Sequence, residues 1–479
     1  MSSPFMWILF PGAVAGLFYI LRRWQRAILV AGVFVAALLA LLAWKLPIGE
    51  PVSLDVWARF PSFTVSDTFT ILGRRFILDN STRPALVLIY LGVAFWFGGA
   101  GAAHSDRLFI PLGLGMAALL TAALAVEPFL YAALLIEMAA LICVPILSPP
   151  GQPVGRGVLR FLAFQTLGMP LILSAGWLLT GVEGVPANPA VVVRATILVG
   201  LGFAFLMAIF PFHTWIPMLA EEAHPYAAAF VFFVLPAAIS VLGLNFLHRY
   251  AWLREGTDVI LALRFVGVLM VVTGGVWAAF QRHLGRILGY AATMEIGLSL
   301  LAMSLGFSAS GPSTVGSGLL LGLFFAQLLP RGIALVLWAL ALSILRARTG
   351  GLWFRSVQGI ARQMPGASAG LLLAQASLAG FPLLAGFPVN FALLSALAQQ
   401  SLPIALLTVL GNAGLLFAGV RTLAVLVTGP GEDDWCLTET WSQLVLLSIS
   451  GMILLLAGLL PQWYLPALVN VARIFSGPG

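Results

Sequence analysis

Apolar runs of about 17 to 25 residues recur along almost the whole of this 479-residue chain, and that repetition limits what it can become. A run of that length is what a helix needs to cross roughly 30 Å of hydrocarbon. Hydrophobic residues make up 61% of the sequence and charged residues 9%, with a mean hydropathy of +1.04. Too little polar surface is available to wrap such a chain in water, whereas lipid requires none. The runs fall near 5–21, 27–44, 84–103, 107–124, 128–147, 157–180 and 190–212, then 226–247, 258–280, 286–306, 316–345, 367–396, 403–427 and 442–461. The expectation is an all-α polytopic membrane protein of about fourteen transmembrane helices. The first run lacks a basic leader and is followed by another span, so it reads as a helix and not as a cleaved signal.

The formal charge of +7 does not point to nucleic acid, because no compact basic patch with interleaved aromatics exists. The arginines sit in short loops instead. Arg22, Arg23, Arg26, Arg107, Arg156, Arg160, Arg282, Arg286, Arg346, Arg348, Arg355 and Arg362 fall on one side, against chiefly Arg194, Arg249 and Arg254 in short loops on the other. By the positive-inside bias the first side is cytoplasmic and both termini lie outside. The long outer loop, 45–83, alternates polar and apolar residues around Phe63-Thr64-Val65 and Phe76-Ile77-Leu78, which suggests a short β-hairpin. Cys143 and Cys436 have no Cys or His companions, so no iron–sulfur or zinc site of familiar spacing is present. Any redox chemistry must belong to partner subunits.

Two spans are broken by proline in similar ways. The seventh ends in Phe210-Pro211-Phe212-His213-Thr214-Trp215-Ile216-Pro217, and the twelfth holds Gly380-Phe381-Pro382 followed by Ala385-Gly386-Phe387-Pro388. An odd number of spans separates them, so they run in opposite directions. Interrupted helices at matching places of inverted repeats mark ion pathways, because freed backbone groups must line a polar cavity. Ordinary proline kinks are the bland alternative.

Glu137 lies mid-way along the fifth span, and a carboxylate there costs roughly 2.5–3.5 kcal/mol. Its neighbours one turn away are apolar, so a partner must come from another helix. Glu295 holds the corresponding place in the tenth span. Arg331 follows Pro330 in the eleventh, one turn after Gln327, and it cannot lose its proton in practice. It is either a fixed counter-ion or the anchor of a water chain. His213 and His224 flank Trp215 and the pair Glu221 and Glu222. These histidines could pass protons or serve as interfacial anchors, and nothing fixes a metal geometry.

In these motifs the chain resembles the antiporter-like subunits of respiratory complex I and the related Mrp cation/proton antiporters, over roughly residues 74 to 460. Glu137-Met138 resembles the family's essential glutamate. Pro211-Phe-His-Thr-Trp-Ile-Pro217 is similar to its P-F/L-H-x-W-L-P turn, and Arg286-Ile-Leu-Gly-Tyr290 to its K-R-x-x-A-Y-S-S stretch. Ser377-Leu-Ala-Gly-Phe-Pro382 with Ala385-Gly-Phe387 is similar to S-L-A-G-x-P…A-G-F.

The resemblance implies two inverted five-helix repeats, each a half-channel for protons. The implied organisation is helices 1–3 with the outer loop in 1–106, the first repeat in 107–250, the second in 251–428, and a fourteenth helix with tail in 429–479. It also implies an M- or N-type subunit in a bacterial or archaeal inner membrane. Flavin, iron–sulfur clusters and quinone would sit in partner subunits and none in this chain.

The departures concern lysine. The only one is Lys45. Leu206 stands where the family has its seventh-span lysine, Ala238 near its eighth-span lysine, and Asn390 at the ionisable position of the twelfth. Gln327 and Arg331 stand near the family's histidine and lysine in the eleventh. Two readings therefore compete: a proton- or cation-translocating subunit with Glu137 and Glu295 as carriers, and a divergent structural subunit that conducts little. A free-standing antiporter is a third. With Leu206 and Ala238 apolar, the half-channel around Glu137 conducts poorly unless water, or a cation from another helix, replaces the lysine.

Overall fold

The computed structural model describes residues 2–52, 63–71, 73–80, 82–128, 130–151, 153–179, 189–250, 252, 257–308, 314–429 and 437–472. A π-helical turn, Phe5–Leu9, leads into α1 (Phe10–Ile20) and α2 (Gln25–Lys45). Then come α3 (Arg83–Ala100), α4 (Phe109–Ala125), α5 (Tyr131–Leu147), α6 (Arg156–Leu178), α7 (Pro189–Leu206) and the short α8 (Trp215–Glu222). The second half holds α9 (Pro225–Arg249), α10 (Thr257–Phe280), α11 (Leu284–Ser308), α12 (Thr314–Thr349), α13 (Pro365–Leu378), α14 (Gly386–Gln400), α15 (Leu402–Val427), α16 (Trp441–Leu459) and α17 (Leu465–Val471). Among the described residues nine helices are long and apolar enough to cross a membrane, and four shorter apolar helices accompany them. The chain is a multi-pass helical membrane protein.

Burial separates an inner from an outer set. The apolar stretches of α11 and α12 are 94% and 89% buried and that of α9 67%, against 28–33% for α2, α6, α10, α15 and α16. The outer helices therefore turn most of their surface to whatever surrounds the chain. Lipid tails are as apolar as leucine, so inner helices gain little by hiding from them and must hold together by close packing. Glycine permits that packing where α10 crosses α15. A Cβ on Gly275 would run into the Gly411 backbone, and one on Gly414 would lie 2.5 Å from the Gly275 carbonyl oxygen.

The connecting segments at one end tie the bundle together. Gln25 donates to the Ser105 carbonyl, and Arg346 Nη1 to that of Ala223 at 2.6 Å. Two carboxylates sit on helix N-termini, where free N–H groups and the dipole favour negative charge. Glu222 accepts from Gly157 N at 2.7 Å, and Glu439 from Gly366 N at 3.0 Å and Ala367 N at 2.5 Å.

At the other end the loop 45–83 departs from the expected single hairpin. Phe63–Thr64 pairs with Pro51–Val52, while Arg74–Ile77 pairs with Thr68–Ile71 and, on its other edge, with Val126–Glu127. Gly73, with φ +75°, supplies the backbone that a two-residue hairpin turn needs. The turn rather than the alternation decided the register. Residues 53–62 lie outside the described set, as does Cys436. Cys143 is buried, its thiol donating to the Ala139 carbonyl at 3.2 Å, so it belongs to the core.

The crossing of α10 on α15 gives a direct test. Gly275→Ala should lower the melting temperature in detergent, because overpacking typically costs about 1–3 kcal/mol. Gly200, with open space around its Cβ position, should tolerate alanine or gain up to about 1 kcal/mol from helix propensity. Equal melting of the Gly275 variant and the parent would contradict the tight crossing.

Candidate proton-pathway site

The two breaks are built alike. α7 stops at Leu206, Ala208 takes φ +53°, and the chain resumes through the single 3₁₀ turn Phe212–Thr214 into α8. α13 stops at Leu378, Gly380 and Leu383 take φ +76° and +72°, and α14 begins at Gly386. Left-handed conformations at Ala208 and Leu383 cost on the order of 1–3 kcal/mol each and persist where surrounding structure enforces them.

Pro211 and Pro382 sit within the breaks. Pro217 and Pro388 do not: each is the third residue of the resuming helix, where no intrahelical N–H bond is lost. At each break the last carbonyl of the first half-helix is met by a buried amide. Gln165 Nε2 donates to Leu206 O at 2.9 Å, and Asn390 Nδ2 to Leu378 O at 3.5 Å.

Glu137 is only 5% exposed. Its partner comes from another helix, as its apolar neighbours require: Thr166 Oγ1 of α6 donates to Oε1 at 2.8 Å. The second oxygen, Oε2, is buried with no hydrogen-bond partner among the described residues. Leu206 is buried beside Gly168 and offers no charge. Ala238 lines an apolar cavity of about 340 Å³ with Ala237, Val241, Leu329 and Ile333. A cavity with such walls has no polar group to hold water.

Glu295 and Arg331 face each other from α11 and α12, at 4% and 3% exposure. They interact through space, while the direct hydrogen bonds of the guanidinium go elsewhere. Nη2 donates to Phe232 O at 3.0 Å and Nη1 reaches Ser299 Oγ at 3.4 Å. The Phe232 carbonyl is available because Pro236, four residues on within α9, has no N–H to give it. Nε of Arg331 and both amide atoms of Gln327, one turn earlier, are buried without partners. Such atoms call for ordered water, which can both accept and donate, or another polar partner.

The histidines and glutamates near α8 meet different neighbours. His213 lies in the 3₁₀ turn, its ring 5.5 Å from that of Phe210 and nearly parallel to it. His224 turns to a cavity of about 210 Å³ with His104 and Asp106. Glu221 pairs with Arg286 at 2.6 Å, and Glu222 caps α6. Among the described residues no cluster of three His, Cys, Asp or Glu side chains could hold a metal.

Sequence reasoning missed Thr166, Gln165, Ser299 and the Phe232 carbonyl. The Gln165-Thr166 pair inside an apolar run was the available signal, and so was Pro236. His283 was missed too. It sits between α10 and α11, and its Nδ1 accepts from Arg286 N at 3.3 Å. Burial pushes this imidazole down to about 4, with Arg286 and Arg346 adding to the effect and Glu221 opposing it.

A depressed imidazole makes stability depend on acid. Above the ordinary value of 6.5 the ring is neutral folded or unfolded. Between pH 6.5 and 4 the unfolded chain takes a proton that the folded chain refuses, so up to about 3 kcal/mol is lost as pH falls. His283→Asn retains an acceptor and should flatten the decline in melting temperature between pH 7 and 4.5. Parallel declines would show that the ring is not held neutral.

Comparison with known proteins agrees with this architecture. Residues 162–415 match the NADH:quinone oxidoreductase/Mrp antiporter transmembrane family. NADH-quinone oxidoreductase subunit N 2 of Acidobacterium capsulatum is 29% identical over 336 residues, 64% of this chain and 66% of that protein. F(420)H(2) dehydrogenase subunit N of Methanosarcina mazei is 26% identical over 325 residues, 65% of this chain and 62% of that one. The matched region thus spans slightly less than two thirds of these two relatives. The fold is shared with a chain of an Mrp complex from Dietzia sp. DQ12-45-1b, at TM-score 0.80, 17% identity and coverage of 99% and 97% of the two chains. It is also shared with one of respiratory complex I from Thermus thermophilus, at 0.73, 22%, 97% and 99%. The chain therefore belongs to the NADH:quinone oxidoreductase/Mrp antiporter family of transmembrane proteins.

Proposed function

We propose that this chain is a proton-translocating membrane subunit of a redox-driven assembly of the complex I type. The carrying observation is that two helix-borne carboxyls, Glu137 and Glu295, are almost wholly buried in a family member whose helices break at 207–214 and 379–385. On this reading α1–α16 make fourteen spans, with α7 and α8 forming the broken seventh and α13 and α14 the broken twelfth. Residues 107–250 and 251–428 are the inverted repeats, preceded by three helices in 1–106 and followed by a final span and tail in 429–479. Glu137 with Thr166 serves the first half-channel. Glu295, Arg331 and Gln327 serve the second, and His213 stands at the first break. Flavin, iron–sulfur clusters and quinone belong to partner subunits.

A second reading, a structural subunit that conducts little, draws on Leu206 and on the apolar cavity at Ala238. Glu137→Gln and Glu295→Gln keep shape but cannot ionise. In an intact assembly each should lower the number of protons moved per electron by at least a third. Unchanged stoichiometry in both would favour the structural reading.

The arginine bias orients the chain with both termini outside the cytoplasm. Single cysteines placed in 148–156 and 428–441 should react with an impermeant maleimide only from the cytoplasmic side. Reaction from outside reverses the topology.

A further inference from the structure

The apolar cavity at Ala238, about 340 Å³ in volume, lies among α3, α4, α9, α12 and α16. Small residues make the room: Ala237 and Ala238 on α9, and Gly92 on α3, whose Cβ position has nothing within 4 Å. The lining on α3 runs from Ala85 to Trp96. That is about 16 Å along the helix axis, close to one leaflet of a hydrocarbon core of roughly 30 Å. Spread over this length, the volume gives a slot about 5 Å across, too narrow for a helix of about 10–12 Å and sufficient for one hydrocarbon chain. α12 turns Leu329 and Gly332 to the slot and Arg331 to Ser299 of α11. Apart from the Trp96 indole, the walls offer water no polar group, so water gains nothing by entering. Leu91 lines the slot and is also 52% exposed, so the slot opens on the outer face of α3 towards the bilayer.

We infer that this slot is a binding site for one acyl chain of a phospholipid, entering from the leaflet in which α3 begins and ending near mid-membrane. One end of the slot lies two residues from Arg83, whose Nε and Nη2 donate to Ala43 O at 3.0 Å and Trp44 O at 2.7 Å, beside the exposed Lys45. Cationic groups thus stand at headgroup depth where the slot begins. Glu50 joins them through Asn80, so the charge there is mixed and recognition falls on the chain. An empty slot of this size forfeits dispersion contacts along all its walls, and a lipid tail restores them. Bound hydrocarbon then keeps water from the middle of α9 at Ala238. The site requires only the membrane-spanning fold, whichever reading of proton transport holds.

The test uses native membrane vesicles that hold the whole assembly, supplied with a phosphatidylglycerol carrying a diazirine midway along one acyl chain. Illumination should label the inner wall, at Val241 of α9 and at Phe325 of α12, which is 3% exposed, as well as outer positions such as Phe265 of α10, 71% exposed. Gly92→Leu and Ala238→Phe fill the slot from opposite walls. Crowding of this kind should lower inner-wall labelling by at least about fivefold and leave labelling of Phe265 unchanged. An unlabelled inner wall in the parent overturns the site, and that map decides even where a filled variant does not assemble. Inner-wall label that persists undiminished in an assembled variant overturns it too. Displacement of the label by an equal amount of a long-tailed quinone would assign the slot to an isoprenoid chain and overturn the phospholipid.

Discussion

A peptide group surrounded by hydrocarbon must find its hydrogen bond inside the protein or forfeit several kcal/mol, and the interior of this chain is arranged around that demand. Among the interior carbonyls that lose their helical partners are Leu206 at one break, Leu378 at the other, and Phe232 opposite Pro236. Each is met by a long polar side chain from a neighbouring helix, namely Gln165, Asn390 and Arg331. These three polar residues within otherwise apolar runs are thus bound to the interruptions. Glu137 lies beside one such pairing through Thr166, and Glu295 lies beside another through Arg331 and Ser299. Carboxyls in a membrane protein settle where the backbone has already required polarity.

Run length and composition made the helices legible, since lipid leaves few alternatives to them. Both breaks were legible from proline and glycine, although the extent of each was not. Pro217 and Pro388 look equivalent to Pro211 and Pro382 in sequence, yet they belong to the first turns of α8 and α14. The buried carboxyls were legible because charge in an apolar run is costly. Their partners were not, because which donor reaches a freed carbonyl depends on helix crossings. Pro236 does identify the Phe232 oxygen as free, four residues back, but nothing local says that Arg331 of α12 arrives there. The placement of His213, Glu221, Glu222 and His224 was illegible for the same reason. Adjacent positions in a short helix and its turns point to different neighbours, so Glu221 meets Arg286 while Glu222 meets the start of α6.

Arginine where relatives are expected to carry a titrating lysine changes what that position can do. A guanidinium keeps its charge at any physiological pH and holds a fixed planar fork of donors. Arg331 spends two arms of that fork on the Phe232 carbonyl and the Ser299 hydroxyl, and so remains anchored. In the proposed pathway a proton passing this point travels on Glu295 or on water near Gln327, with the arginine as a stationary charge. A lysine relay stores protons at successive sites. In the proposed pathway the carriers among the described residues are the two glutamates, and the cavity at Ala238 is lined by apolar side chains.

The first break is connected to α11 by close packing. α8 lies backbone to backbone against α11: a Cβ on Gly289 would come within 2.7 Å of Pro217 Cα, and one on Gly285 would strike the Ala220 carbonyl. The Glu221–Arg286 pair fastens the same contact at its end, and Arg346 of α12 grips the Ala223 carbonyl. Interfaces packed this closely shift between discrete arrangements and do not deform smoothly. α7, on the other side of the break, shows Val193, Ile197 and Leu201 outward and is held to α6 through the Gln165 bond and glycine contacts at Gly168 and Gly202. The strained turn at Ala208 therefore divides two half-helices with different anchors, α7 against α6 and α8 against α11. Glu137 is thus joined to the helix that carries Glu295 by a continuous set of contacts: Thr166 and Gln165 of α6, the Leu206 carbonyl, the turn, and α8 packed on α11.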